Sequence, residues 1–317
     1  MRYTVSVMKI PGSLTLLTAA TLLPVLSAAG SPFVGRWDFN LEAPGHSGAA
    51  WLGITGTNGQ LEVWYQPTGG NVYRITDFKA QGTHLSVVLG AASAGRPATT
   101  WELDAAGDQL TGAERRGDLA FPLAGVRAPE LKRAEPKKWT KPEPLFNGKD
   151  LTGWEPIGGA ANSHWRVQDG LLVNDARGAN LRTTRLFDDV KAHYEVNCPD
   201  DGNSGFFLRG RYEVQIEYEP LSNNPPERRI GSIYGRIAPN PELPRKPGEW
   251  ESFDVTLVGR IVTVVHNGLT VIDHKEIEGI TGGALDANEG QPGPFYLQGD
   301  HTGGLKFRNI TVSVPKK

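Results

Sequence analysis

Short apolar runs rich in Val, Thr and aromatic residues, each closed off by Gly, Asn, Asp or Pro, recur along almost the whole chain, and no stretch repeats apolar residues at helical spacing over several turns. A chain punctuated in this way does not build long helices. Strands joined by tight turns are what its period and its 39 Gly and 23 Pro allow. In the first part, 31–128, the runs fall at 33–39, 50–54, 60–65, 72–78, 84–89, 99–103 and 109–113, roughly ten residues apart, which predicts one small all-β barrel or sandwich. Trp37, Trp51, Trp64 and Trp101 lie in these runs. Flat indole faces pack on sugar rings, but a unit of this size needs bulk inside, so the core is the expected place for each of them.

Residues 129–143 are charged, Pro-rich and aperiodic and read as a semi-rigid linker. Over 130–138 two Glu lie among the Lys and Arg, and no aromatic interleaving repeats, so a nucleic-acid patch is not expected. A second unit, 144–317, opens on the turn signal Leu145-Phe146-Asn147-Gly148 and closes on 305–314, where apolar and polar residues alternate as in a half-buried strand. Between them, 253–258 and 261–265 flank Gly259-Arg260 as a hairpin, and His266-Asn267-Gly268 makes the next turn. Terminal segments that both read as strands suit an antiparallel double sheet.

The N-terminus carries Arg2 and Lys9, an apolar run over 14–26 interrupted by Pro24, and then Ser27-Ala28-Ala29-Gly30, with small residues placed for cleavage after Ala29. This predicts a signal peptide over 1–29 and an exported protein, periplasmic or secreted, with no membrane span. A formal net charge of -2 supplies no field to recruit nucleic acid or an anionic membrane; a small, largely uncharged ligand fits better. Nothing in the pattern fixes an oligomeric state. Cys198 is the only cysteine, so no internal disulfide forms and packing must hold the fold.

On 212–219 the period-two rule puts Glu213, Gln215, Glu217 and Glu219 on one face and Tyr212, Val214, Ile216 and Tyr218 on the other. A solvated outer face is the ordinary reading of such a pattern. Upstream, however, Asn203-Ser204-Gly205 and Arg209 supply amide, hydroxyl and guanidinium groups, and Tyr234-Gly235 follows downstream, as a concave substrate face would need. Near the last strand Gly299-Asp300-His301 sets a His beside an Asp, a pair able to move protons near neutral pH. His164, His193, His266 and His274 have no comparable context and read as structural or exposed. No zinc pattern, phosphate-cradling glycine loop or Gly-x-Ser-x-Gly elbow is present. Calcium is the one cation with a candidate loop, Asp200-Asp201-Gly202-Asn203, which is also an ordinary turn sequence.

Pro144-Leu145-Phe146-Asn147-Gly148-Lys149-Asp150-Leu151-Thr152-Gly153-Trp154, Asn203-Ser204-Gly205, Glu213-Val214-Gln215-Ile216, Ile233-Tyr234-Gly235, Gly248-Glu249-Trp250-Glu251 and Leu297-Gln298-Gly299-Asp300-His301 stand in an order and spacing that resembles the 3-keto-disaccharide hydrolase family. The resemblance implies an exported domain with a concanavalin A-like double-sheet jelly roll. It also implies cleavage of glycosides already oxidised at C3: a base removes the C2 proton, the enolate expels the C1 substituent, and water adds to the enone. On it, Glu213, His301 and Arg209 are the candidate catalytic residues, with Glu213 or His301 as base and Arg209, Asn203 or a cation at the ketone oxygen. Gln215, Glu217, Tyr234, Gln298 and Asp300 join Asn203 as candidate substrate ligands. One departure stands out. The family run commonly continues Gln-Ile-Leu-Asp, whereas here Gln215-Ile216 is followed by Glu217-Tyr218; moving the acid by one residue flips its face, so Glu217 does not inherit that Asp's role. A non-catalytic, lectin-like carbohydrate-binding module is the alternative on the same fold, and a cell-surface scaffold a further one.

Overall fold

The computed structural model describes residues 30–44, 46–57, 59–90, 97–220 and 224–316; the expected signal peptide lies outside them. The first unit has nine strands: β1 Gly35–Ala43, β2 His46–Thr57, β3 Gln60–Gln66, β4 Tyr73–Ile75, β5 Phe78–Gln81, β6 His84–Gly90, β7 Thr99–Ala106, β8 Gln109–Arg116 and β9 Leu119–Arg127. They form one antiparallel sheet in the order β4-β3-β2-β1-β9-β8-β7-β6-β5. Its two edge strands, β4 and β5, are neighbours in sequence, and Tyr73 Oη donates across to Leu89 O at 2.9 Å, so the sheet curls until its edges meet as a barrel. Trp37, Phe39, Tyr65, Trp101 and Leu103 fill the interior. The run at 72–78 splits in two about Asp77, and β9 has no counterpart among the expected strands. Pro122 in its middle argues against a strand, yet β1 pairs with β9 only at Gly125, Val126 and Arg127, so Pro122 sits beside β8 alone and no ladder bond is asked of it.

In the second unit β10 Glu143–Pro144, β12 Trp165–Gln168, β13 Leu171–Asn174, β15 Val190–Asn197, β18 Trp250–Val258, β19 Ile261–His266, β20 Leu269–Glu276 and β22 Leu305–Ser313 make an eight-stranded sheet. The others, β11 Trp154–Pro156, β14 Leu181–Thr183, β16 Asn203–Leu208, β17 Tyr212–Glu217 and β21 Tyr296–Leu297, make a five-stranded sheet in the order β11-β14-β21-β16-β17. The two pack face to face as an antiparallel double-sheet jelly roll: Tyr194 of one stacks on Phe206 of the other with ring centroids 4.2 Å apart. Each buried ring of this kind contributes about 1.5–3 kcal/mol.

Residues 129–143 are tied to the jelly roll. Arg133 pairs with Asp188 at 2.7 Å and Asp189 at 2.9 Å, and Thr140 N donates to Val314 O at 2.9 Å. Barrel and jelly roll also meet directly. Trp51 packs with Ile280, Ala284 and Ala287, and Gly283 N donates to Thr68 O at 2.9 Å. Deeper in the seam, Arg260 holds Glu289 through both carboxylate oxygens, at 2.7 and 2.5 Å, and donates to Pro129 O at 2.7 Å.

Candidate active site

The hairpin of β16 and β17 builds the site. Its register opposes Asn203 to Glu217, Gly205 to Gln215 and Phe207 to Glu213, and since directly opposed residues share a face, these six lie on one side. Ser204, Phe206, Leu208, Tyr212, Val214 and Ile216 turn the other way, into or against the core. Along β21 and β14, Tyr296 opposes both Phe207 and Arg182, which extends the same outer face across the sheet. Gln298 N donates to Gly205 O at 3.0 Å, placing Gln298 beside Gln215 on that face.

This face is not the solvated surface that the Glu pattern ordinarily means. Glu213 and Gln215 are each 3% exposed and Glu217 is 2% exposed. Residues 231–234 run alongside β17, with Gln215 N donating to Ser232 O at 3.0 Å and Tyr234 N to Glu213 O at 3.1 Å. At the Phe207 end the loop before β21 closes over the face, where Tyr296 Oη donates to Gly283 O at 2.5 Å. The face opens at its other end, where the Asp300 and His301 side chains are about half exposed, at 49% and 46%.

Each block of the sequence has a structural task here. Ser204 Oγ donates to Gln298 O at 2.7 Å and fastens β16 to β21. Gly205 leaves room for the Glu213 side chain, since a Cβ there would sit 2.1 Å from Glu213 Oε1. Gln215 donates to Ser204 O at 3.1 Å and to Glu213 Oε1 at 3.0 Å once its amide is oriented to satisfy both oxygens. Asn203 Nδ2 donates to Glu219 Oε1 at 2.5 Å, and Asn203 N to Thr302 Oγ1 at 2.7 Å, which brings the Asp300-His301-Thr302 turn against the hairpin.

The carboxyl groups of this face differ in charge for physical reasons. Burial, reinforced by the negative charge of Asp300, pushes Glu213 well above the usual carboxylate range and so favours its protonated form. Asp300 goes the other way: burial opposes its ionisation, but the hydrogen bond and charge of His301, 2.8 Å from its Oδ1, together with the Asn180 amide, hold it below the ordinary value. Glu217, raised by burial to about 7 in spite of the Glu219 N–H that it accepts, lies at the rim of a second hollow of about 290 Å³.

Asn203, Glu213, Gln215, Glu217, Gln298, Asp300 and His301 are thus brought to one face, with Tyr234 along its edge. Arg209 is not among them and its assignment is corrected. Its side chain is fully buried; Nη1 lies 3.3 Å from Asp188 Oδ1, Nη2 donates to Gly259 O, and the guanidinium sits 5.2 Å over the Tyr212 ring. Tyr212 points away from Glu213, so Arg209 serves the opposite side of the sheet. For Glu213, which the resemblance offered as a base, the upward shift favours a role as proton donor. Two cations near the site lower the pKa of Glu217, Arg245 and then Arg228; Arg228 lies 5.7 Å over the Tyr234 ring and has a buried Nε without a partner among the described residues. Sequence reading passed over it: Arg228 sits in the long segment between β17 and β18, and only its distance of six residues from Tyr234 hints at the pairing. His266, as expected, is structural, buried with Nε2 2.5 Å from Glu251 Oε2. The Asp200-Asp201 loop leaves Asp200 exposed opposite Arg245, and among the described residues no three His, Cys, Asp or Glu converge as a metal site.

An all-β jelly roll that gathers acids, amides and a His–Asp pair on one sheet face defines a carbohydrate-acting protein. Residues 141–313 match the 3-keto-alpha-glucoside-1,2-lyase-like domain, and the chain belongs to that family. Among solved structures it is similar to two Parabacteroides distasonis proteins classed as glycosyl hydrolases. One is 30% identical, covers 57% of this chain and 92% of its own, and has a TM-score of 0.47. The other is 21% identical, covers 55% and 92%, and has a TM-score of 0.46. A carbohydrate-binding module from Bacillus subtilis is 13% identical over 52% of this chain and 97% of its own, with a TM-score of 0.33. No curated protein matches the chain. Among the described residues no helix is long and apolar enough to cross a membrane.

Proposed function

We propose that this chain cleaves glycosides carrying a ketone at C3 of a sugar ring, by C2 proton removal and β-elimination followed by hydration. The observation that carries the reading is the match of residues 141–313 to the 3-keto-alpha-glucoside-1,2-lyase-like domain, on a face where burial raises the Glu213 pKa and His301 lowers that of Asp300. Environments that separate two acids in this way assign an acid and a base. Asp300 orients His301, whose imidazole takes the C2 proton. The C–H electron pair becomes an enolate with its charge on the C3 oxygen, and the Tyr234 hydroxyl with the Arg228 guanidinium stabilises that charge. Collapse of the enolate restores the ketone, forms the C1–C2 double bond and breaks the C1–O bond, and the leaving oxygen takes the Glu213 proton. Water then adds: its hydroxyl goes to C1, its proton returns to Glu213, and the His301 proton goes to C2. Gln215, Gln298, Asn203 and Glu217 hold ring hydroxyls. Residues 1–29 fit this reading as an export signal, and N-terminal sequencing of the exported protein is expected to begin near Gly30.

The test is a 3-keto-glucoside bearing deuterium at C2, run beside its unoxidised parent. The keto substrate is expected to react with an isotope effect or to lose its label to water before the C1 bond breaks, and the parent to be inert. Brisk hydrolysis of the parent without exchange would overturn the elimination; binding of both without turnover would leave a sugar-binding module.

A further inference from the structure

Trp64 is the one indole of the barrel that stays exposed: Trp37 and Trp101 fill the core, and Trp51, expected there too, is buried in the seam with the jelly roll. The neighbours Val63 and Tyr65 point inward and are buried, whereas Trp64 faces out and is 38% exposed. On the same outer face its cross-strand partner is Gly53, and the Trp51 ring fills the space that a Cβ on Gly53 would occupy, coming within 2.1 Å of that position. Two indoles therefore flank a bare stretch of backbone. They line a cavity of about 1000 Å³ in the seam between barrel and jelly roll, large enough for a small oligosaccharide.

The charges on its walls select the ligand. From the jelly-roll side come Arg236, Glu227, Glu276 and Glu278; from the barrel side come Arg36 and Glu62. Carboxylates outnumber guanidinium groups, which disfavours phosphates, acidic sugars and nucleic acid. Arg36 is occupied by Glu276 at 2.7 Å and Glu62 by Arg74 at 3.0 Å. Glu227 and Glu278 form no ion pair among the described residues, although the charge of Glu278 acts on Arg236, and both carry oxygens that accept hydroxyl hydrogens. Arg236, stacked 4.3 Å over Trp51, spends Nε and Nη2 on Ile280 O and keeps a buried Nη1 without a partner. An exposed indole face with carboxylate acceptors around it is complementary to the ring face and hydroxyls of a neutral sugar.

We propose that this cleft is a second carbohydrate-binding site, taking a neutral pyranose ring stacked on Trp64. It is separate from the candidate active site and does not depend on that chemistry, although the two share a wall, since Gly235 and Arg236 of the cleft follow directly on Tyr234. In the full chain it would hold one part of a longer neutral glycan while the jelly-roll face works on another.

The experiment is native-gel retardation by dextran, laminarin and xylan, with calorimetric titration of cellobiose and maltose, on the wild type, Trp64→Ala and Trp64→Phe. At least one neutral sugar is expected to bind the wild type, about tenfold more weakly to Trp64→Ala, and with intermediate affinity to Trp64→Phe, which keeps a flat ring. Melting temperature and turnover of a monomeric 3-keto-glucoside are expected to stay unchanged in both variants, while Glu213→Gln is expected to bind these glycans as the wild type does. Equal binding by Trp64→Ala, no binding of any neutral sugar by the wild type, or displacement of bound sugar by spermidine but not by free sugar would each overturn the site.

Discussion

Glu289 and Glu213 are both buried carboxyls on the jelly-roll side of the molecule, but they are solved differently. Glu289 receives Arg260 on both oxygens, at 2.7 and 2.5 Å, and the Tyr212 hydroxyl at 2.8 Å. Glu213 forms no ion pair with a cation among the described residues; what acts on it is burial and the negative charge of Asp300. A buried carboxylate matched by a bidentate guanidinium is a structural clasp, here joining the jelly roll to Asp38 of the barrel and Pro129 of the connecting segment. One buried beside a like charge is biased toward keeping its proton, which suits it to act as an acid. Tyr212 and Glu213 are consecutive residues, so the pleat of one strand feeds both networks, one on each side of the sheet.

That contrast is open to direct attack. The largest effect is expected from Glu213→Gln, which copies the shape of a neutral carboxyl and removes its proton: kcat/KM on a 3-keto-glycoside should fall about 10²–10⁴-fold, with the melting temperature essentially unchanged. A variant with full activity would remove Glu213 from the site. Arg260→Ala should do the reverse, costing about 3–5 kcal/mol in denaturant unfolding because it strands the Glu289 charge in the seam. If it unfolds no earlier than the wild type, the clasp reading fails. Gly205→Ala should act on the site alone, lowering kcat/KM on the order of 10²-fold by displacing Glu213, and a crystal structure of the variant should show that carboxyl moved.

A smaller effect concerns pH. Burial, with Glu289 beside it, pushes Asp38 from 3.8 up to about 9. The folded chain then holds one proton more than the unfolded chain between these values, so this contribution is complete below pH 3.8 and is lost as pH rises to about 9. Melting temperature measured across that window should slope downward with pH less steeply in Asp38→Asn, and an identical slope would show that Asp38 is ionised in the fold. Smallest of all, Asp175→Asn breaks an ion pair with Arg166 whose side chains are 47% and 43% exposed, and no measurable shift in melting temperature is expected.

The strand period exposed most of the fold to sequence reading. Alternation on 212–217 named both faces of β17 correctly, because side-chain direction in a strand follows from covalent geometry alone. Asn203, Gln215, Gln298 and the Asp300-His301 pair were legible through their blocks. Arg209 and Arg228 were not: a long side chain in a turn or loop reaches whichever neighbour the packed chain brings near it, and six residues of sequence separation from Tyr234 do not encode a ring 5.7 Å away. Trp64 shows the same limit, since four similar Trp runs gave no sign of which indole would be left outside.

By itself the amino-acid sequence determined an antiparallel all-β chain, its family, and which residues of each strand point together, since these follow from local periods and turn chemistry. Only the tertiary structure decided which carboxyl is raised by burial, which arginines lie beside the site, and that barrel and jelly roll meet around a cleft. Burial and Coulomb forces depend on distances between residues far apart in the chain, and those distances exist only once the sheets have packed.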